Sequence, residues 1–448
     1  MRKNDLFEME ITGTTHEGFG VGKKEGMAVF VPGAAVGDRL LVRVLKVLSS
    51  YAYAKPEALV RPSASRVEPV CQVSGKCGGC AYMHIVYEEE LRVKRNIVKD
   101  ALERIGGLSA EVAEVLPCPK QYHYRNKEQL PFDARGRAGL FARASHRVIA
   151  LPDGCAISDS YFRDAVRIVE AFISEYGITV YDESMGKGLV RHLYLRRAQA
   201  TGQLMVCLVI NGKALPHAGE FVKRLKALPG LTSVVLNRNT KDTNVVLSDD
   251  WQTLFGTGRI EDRLCGMRFL ISPSAFYQVN SAQTERLYEK ALDLARLDKN
   301  RTIADLFCGI GTITLLAAKR CGHAYGIELV PQAIEDAREN AALNGIENAT
   351  FICRDANSFA EALPRGVGID TVFVDPPRKG MSPQGIEAVC AIAPESIVYI
   401  SCNPATLARD VRLLTARGYV LAAPVYPVDM FPKTGHVECV VLMSKVQK

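Results

Sequence analysis

The sequence predicts an α/β protein: a doubly wound parallel sheet in its C-terminal part, preceded by a small OB-like β-barrel and an α+β central part. Three observations carry this. After residue 281, apolar strand segments alternate strictly with helical segments. The first 60 residues break into short apolar strands between glycine turns. A glycine-rich turn, Asp305-Leu306-Phe307-Cys308-Gly309-Ile310-Gly311-Thr312, falls where the first strand of the alternating region passes into a helix.

In chain order, residues 1–62 read as the barrel. Leu40–Leu45 is its clearest strand, and Gly18-Phe19-Gly20 and Pro32-Gly33 are its turns, a pattern that suits gripping nucleic acid. Pro56 and Pro62 mark a linker. Residues 63–280 form the central part. It opens on a cysteine-rich turn at 71–80 and a helix in which Leu91, Ile97, Val98, Ala101, Leu102 and Ile105 fall at helical spacing before Gly106-Gly107 stops it. Residues 281–448 form the doubly wound part. Strands are expected at about 302–307, 324–328, 349–353, 370–374 and 396–400. Helices are expected at about 312–321, 332–343, 383–393 and 404–416, with a closing hairpin at the end.

Composition bounds the function. At 48% apolar and 23% charged residues, the 448-residue chain is globular rather than disordered. No apolar run approaches the roughly 18–20 residues of a membrane span, and no apolar stretch follows the first basic residues. A cytoplasmic protein with no membrane contact, working as a monomer, is therefore expected. Residues 1–280 carry 38 Lys and Arg against 30 Asp and Glu; the remainder carries 18 against 19. A basic front half on a neutral back half suits a nucleic-acid grip joined to a catalytic module, though ordinary solvated faces would give the same count. Thirteen cysteines without an export signal should be thiols or metal ligands.

The glycine turn permits close backbone approach to a ligand. Glu328 ends the second strand, where a carboxylate can bind both ribose hydroxyls, and Asp355 follows the third, within reach of an adenine. A nicotinamide dinucleotide would call for a third glycine where Thr314 stands. The fourth strand instead ends in Asp375-Pro376-Pro377-Arg378, a feature of base-modifying methyltransferases. S-adenosylmethionine is therefore the expected cofactor.

Ser401-Cys402-Asn403-Pro404 follows the fifth strand at the carboxyl edge of the sheet. The helix beginning just beyond is expected to lower the Cys402 thiol pKa. Glu438 enters an apolar strand, where a carboxylate is costly unless it has a role, and His436 lies two residues before it. A thiolate that adds to C6 of uracil makes C5 nucleophilic; a base must then remove the C5 proton. Cys402 and Glu438 suit those two tasks.

Together these motifs resemble the uracil-C5 RNA methyltransferase family that modifies 23S ribosomal RNA and tRNA. The likeness extends through a TRAM-type barrel, Cys-x5-Cys-x2-Cys at 71–80, Tyr124-Arg125-Asn126-Lys127, Phe276-Tyr277-Gln278-Val279-Asn280 and the Pro-x-Thr-x-His-x-Glu segment ending at Glu438. The resemblance implies a Rossmann-like methyltransferase sheet, with Gln278, Phe307, Glu328 and Asp375 contacting S-adenosylmethionine. It implies Phe276 stacking on the target base, Cys402 as nucleophile and Glu438 as proton acceptor. Spacing alone allows zinc or iron–sulfur at Cys71, Cys77 and Cys80, with Cys155 or Cys118 as fourth ligand. The resemblance implies a [4Fe–4S] cluster with Cys155. Because the Cys-x3-Cys-x2-Cys spacing of radical enzymes is absent, a structural or RNA-positioning role is expected for it. It also favours 23S ribosomal RNA over tRNA. RNA contacts are expected from the barrel and from two basic groups: Arg135, Arg137, Arg143 and Arg147, interleaved with Phe132, Phe141 and His146, and Arg191, His192, Arg196 and Arg197. The competing functions are methylation of another base position and a non-catalytic RNA-binding protein. Cytosine-C5 enzymes carry a cysteine where Arg378 follows Pro377, and an amino-group enzyme would not need Cys402 or Glu438.

Overall fold

The computed structural model describes residues 1–15 and 17–446. Its N-terminal six-stranded sheet runs Leu6–Glu10, Arg39–Val47, Tyr51–Arg61, Met27–Pro32, Phe19–Lys24, Gly13–Thr14. Alternation builds its core: Leu40, Val42 and Val44 point inward with Val29, Val31, Ala52 and Ala54, while Arg39 and Leu45 face out. Gly18 adopts φ +80°, and a Cβ there would come within 2.4 Å of the Ala81 Cβ. Glycine thus lets the barrel press on the residue that follows the cysteine turn.

The central sheet runs Trp251–Phe255, Leu231–Arg238, Leu204–Ile210, Val190–Arg197, Lys127–Pro131. Leu204–Ile210, uniformly apolar, is buried on both faces, as such a run requires. One face packs on helices Phe162–Glu175 and Ala218–Leu225 through Phe162, Val169, Phe172 and Phe221. Met205, Cys207 and Val209 on the other face merge with the core of the C-terminal part through Leu287 and Tyr288.

The C-terminal eight-stranded sheet has the order Ala349–Cys353, His323–Glu328, Thr302–Leu306, Thr371–Val374, Ser396–Ser401, Glu438–Lys445, Tyr419–Leu421, with Tyr426–Val428 also paired to Glu438–Lys445. The first five strands are parallel and Glu438–Lys445 runs antiparallel. The five parallel strands lie within a residue or so of the expected spans. Three features differ from expectation. A short 3-10 segment, Ala356–Ala362, follows the third strand; helix Ser281–Ala295 precedes the first; and the closing hairpin is two short strands sharing one long partner.

Helix Tyr87–Ala101, continued by a π turn to Gly106, joins the front of the chain to its end. Lys94 is fully buried on this helix. Its ammonium donates to Glu90 Oε1 (2.8 Å), Asp429 Oδ1 (2.6 Å) and the Phe431 carbonyl (3.1 Å). Burial works against its charge, but Glu90 and Asp429 outweigh that and hold it above the ordinary lysine range. Lys433, also buried, lies 3.3 Å from Glu90, so two acids and two bases balance. Replacing Lys94 with Met should destabilise the protein by about 3–5 kcal/mol, because two buried carboxylates lose their counter-ion. Urea denaturation should show the deficit narrowing as pH falls and Glu90, whose carboxyl is pushed up by burial, protonates; a pH-independent deficit would mean that lost packing, not charge, is responsible.

Candidate active site

Parallel pairing brings the carboxyl ends of five strands to one edge, and Phe307, Glu328, Asp355, Asp375 and Cys402 all follow those ends closely. Phe307 adopts a left-handed φ of +69°, and Gly311 (φ +83°) caps the helix beginning at Thr312. A Cβ on Gly311 would meet the Phe351 ring at 3.0 Å. The Glu328 carboxylate accepts from the amides of Gly309 (3.2 Å), Leu329 (2.8 Å) and Val330 (3.0 Å), which fix it beside the glycine turn. Thr314 donates to Asp305 Oδ2 (2.6 Å), which explains a threonine where a dinucleotide fold has glycine. The exposed Asp355 accepts from the Asn357 amide (2.7 Å), capping the 3-10 segment. Gln278 is buried, and its side chain and Thr312 both reach the hydroxyl of Tyr288, which also feels the charges of Asp375 and Asp305. The ring of Phe276, two residues away, is 66% exposed, free to meet a flat ligand.

Antiparallel pairing sets Cys439 opposite Ser401, so Glu438 and Cys402 arrive at the same edge. Glu438 is buried, and burial, with Asp375 adding its charge, pushes its carboxyl up to about 8 against the pull of Arg378. Asp375 keeps some contact with the cleft, yet burial raises its carboxyl to about 7; Asp305 is pushed to about 7 for the same reason. Neither Glu438 nor Asp375 has a side-chain hydrogen bond among the described residues. The Cys402 thiol is pushed up to about 11 by burial and then by Glu438 and Asp375, with Arg378 opposing. The expected lowering by the following helix is therefore overturned: burial and two nearby carboxyls outweigh a helix terminus.

Arg378 was not anticipated as a site residue, although Asp-Pro-Pro-Arg contains it. Its Nη2 lies 3.2 Å from His436 Nε2, and its carbonyl accepts from Asn403 (3.1 Å) and Thr406 (3.3 Å). The turn after the fourth strand is thereby tied to the turn bearing Cys402. Tyr288 carried no signal beyond a core position.

Cys71, Cys77, Cys80 and Cys155 come together. Burial raises the Cys80 thiol, and Cys155, Cys77 and Cys71 raise it further. Cys118 is engaged elsewhere: its thiol donates to the Lys120 carbonyl (3.0 Å) and accepts from Asn280 (3.3 Å). Among the described residues, no three His, Cys, Asp or Glu side chains are arranged to hold a metal ion.

The second basic group is not a surface patch. Arg191 is buried on the carbonyls of Asn239, Lys241 and Thr243, and Arg196 on those of Ser272 and Ala275. His192 is pushed down to about 4 by burial and Arg191, and Arg197 pairs with Asp159. These cations brace loops, Arg196 the one leading into Phe276. Arg135, Arg137, Arg143 and Arg147 are exposed, whereas Phe132 is core. An unanticipated aromatic group lies on the barrel: Phe19, Phe30, Tyr51 and Tyr53 have ring centroids 5.2–5.9 Å apart, and Arg143 sits 5.1 Å over Phe19. Among the described residues no helix is long and apolar enough to cross a membrane.

A sheet of this order, with a glycine turn and carboxylates at successive strand ends, defines an S-adenosylmethionine-dependent methyltransferase. The tRNA (uracil-5-)-methyltransferase family profile matches residues 86–446 and the TRAM domain profile residues 4–56, and the chain belongs to that family. It is 42% identical to proteins described as RNA methyltransferases from Listeria monocytogenes serotype 4b and Clostridium tetani. Each match covers 99% of this chain, with 98% and 97% of those proteins respectively. A solved Pyrococcus abyssi tRNA (uracil-54, C5)-methyltransferase, in complex with S-adenosyl-L-homocysteine, is similar at TM-score 0.79 and 29% identity. The match covers 98% of this chain and all of that one.

The raised carboxyl of Glu438 has a consequence for stability. Between about pH 4.5 and pH 8 the folded protein keeps a proton that the unfolded chain has lost, so stability falls as pH rises through that window. Glu438→Gln removes this dependence. Its melting temperature should match wild type near pH 4.5 and exceed it increasingly up to pH 8, where the difference in unfolding free energy reaches at most about 5 kcal/mol. Equal melting temperatures across the window would show Glu438 ionising as it does in water.

Proposed function

We propose that the protein methylates C5 of an unpaired uridine in RNA, with Cys402 as nucleophile and Glu438 as proton acceptor. The observation that carries this is the pair of carboxyls, partly buried Asp375 and buried Glu438, which have no side-chain hydrogen bond among the described residues and both act on one thiol. Desolvating two carboxyls this way is costly unless a substrate uses them. Gln278, Phe307, Glu328, Asp355 and Asp375 would hold S-adenosylmethionine, which would supply an electrophilic methyl for C5 and leave as S-adenosylhomocysteine. The Cys402 thiolate adds to C6 of the uracil, and the ring's electrons move toward O4, making C5 nucleophilic. Once C5 carries the methyl, Glu438 takes its proton and the Cys402 sulfur leaves C6. Phe276 stacks on the base, which must leave its own stack to reach the thiol.

The barrel aromatics and the exposed arginines from 135 to 147 supply stacking and phosphate contacts for the RNA. The four gathered thiols suit a [4Fe–4S] cluster on Cys71, Cys77, Cys80 and Cys155, which would brace the turn between barrel and catalytic part. The preferred substrate is 23S ribosomal RNA, by the resemblance of barrel and cysteine turn. The Pyrococcus protein's action on tRNA favours tRNA as the second reading. The enzyme works as a cytoplasmic monomer.

Cys402→Ala should abolish methylation and leave cofactor binding near wild type. Glu438→Gln should slow turnover roughly 10²–10⁴-fold and accumulate a denaturation-stable protein–RNA adduct through Cys402. Wild type should form a comparable adduct only on RNA containing 5-fluorouridine, and no such adduct alongside normal methylation would refute the thiolate mechanism. Mapping 5-methyluridine in 23S ribosomal RNA and tRNA with and without the gene decides the substrate. Anaerobically purified protein should carry iron and sulfide at about four irons per chain; stoichiometric zinc instead would overturn the cluster.

A further inference from the structure

The segment leading into Glu438 has no regular structure, yet four successive carbonyls in it are each held from a different part of the chain. Met430 O accepts from Asn280 Nδ2 (2.9 Å) at the cap of helix Ser281–Ala295. Phe431 O accepts from Lys94 Nζ (3.1 Å), and Pro432 O from the buried Tyr124 hydroxyl (3.0 Å). Lys433 O accepts from the amides of Ala81 (2.9 Å) and Tyr82 (3.0 Å), the two residues directly after Cys80. Lys433 holds a left-handed φ of +69°, and its own amide donates to Glu90 Oε1 (2.6 Å). Asp429 is held on both oxygens, by Lys94 and by Tyr87 (2.6 Å).

A glutamate at the first residue of a strand takes its position from the segment that precedes it. Here that segment can satisfy its backbone only when the helix bearing Glu90 and Lys94, the Tyr124 strand approach and the end of the cysteine turn are all in place. We infer that Glu90, Lys94 and Tyr124 are positioning residues for proton removal at Glu438, and that the cysteine turn joins the same brace through Lys433. Cys402 follows strand Ser396–Ser401, which pairs with the strand of Glu438, but its own turn is held by the Asn403–Arg378 contact and by none of Glu90, Lys94 or Tyr124. Loosening the brace should therefore slow the last chemical step and spare the first.

The inference rests on the reading of Glu438 as proton acceptor. The test uses full-length enzyme with Glu90→Gln, which keeps the volume and an acceptor but removes the charge, and with the milder Tyr124→Phe. Each is read by melting temperature, S-adenosylhomocysteine binding, turnover on unmodified RNA, and Cys402 adduct on both unmodified and 5-fluorouridine RNA. The expected result for Glu90→Gln is a fall in turnover of about 10-fold or more. Adduct formation on 5-fluorouridine RNA should stay near wild type, and adduct should accumulate on unmodified RNA. Tyr124→Phe should show the same pattern more weakly and serves alone if Glu90→Gln does not fold. Turnover and 5-fluorouridine adduct falling together, or turnover unchanged, would overturn the positioning role. If Glu438→Gln itself accumulates no adduct on unmodified RNA, the proton-acceptor reading fails; if it does while the brace variants do not, only this inference fails.

Discussion

The architecture depends on one buried ammonium. Lys94 joins residues 335 positions apart by its bond to Asp429, and no solvent screens it. Burying such a charge costs several kcal/mol unless its partners are close and complete. They are: two carboxylates, a carbonyl and a second lysine form a neutral set. An apolar plug of the same volume could hold helix and loop together equally firmly, but it would not dictate the path of the loop. The ion set does, because displacing the loop by one residue would strand Asp429 and the Lys433 amide without partners.

The same electrostatics run in the opposite sense at the catalytic edge. There Glu438 is buried and Asp375 partly buried, neither with a side-chain hydrogen bond among the described residues, and Arg378 offsets only part of the charge on Glu438. This edge thus favours protons on Asp375 and Glu438 and resists a thiolate on Cys402. A cationic sulfonium placed near Asp375 would relieve its charge and with it one of the two carboxyls holding the thiol up.

Much of this was legible in the sequence. The parallel strands were readable because each is an apolar run closed by a turn signal. Phe307, Glu328, Asp375 and Cys402 were readable because doubly wound sheets place such residues at strand ends. Helix Ser281–Ala295 was missed although Leu287, Tyr288, Ala291, Leu292 and Ala295 fall at helical spacing, because it lies ahead of the first strand of the repeat and completes no strand–helix unit of it. The error over Arg191, Arg196 and Arg197 has a physical source: a cluster of cations looks the same in sequence whether it meets phosphate or buried carbonyls. Only the three-dimensional course of residues 239–243 and 272–275 separates the two. The acidity of Cys402 was misjudged because the helix after it is local, whereas Glu438 and Asp375 reach it from distant strands.

This division between local and distant contributions bears on how the active edge is assembled. The glycine turn, Glu328 and Cys402 are presented by strands that pair with near neighbours in sequence. Glu438 is presented by a strand that runs against them and is fixed by residues from the first third of the chain. Contacts of such sequence separation form only when the chain as a whole has closed. A catalytic part severed from helix Tyr87–Ala101 would retain its parallel sheet and the turn that holds cofactor. It would keep the Thr434 donors to the Phe431 carbonyl but lack Lys94 there and the donors for Pro432 and Lys433, leaving the strand that bears Glu438 held mainly through its pairing with Ser396–Ser401 and the two short strands beside it. The cysteine turn and the central part therefore do more than carry RNA-facing surfaces. They complete the backbone hydrogen bonding of the segment that leads into Glu438, which ties the position of that carboxyl to the front half of the chain.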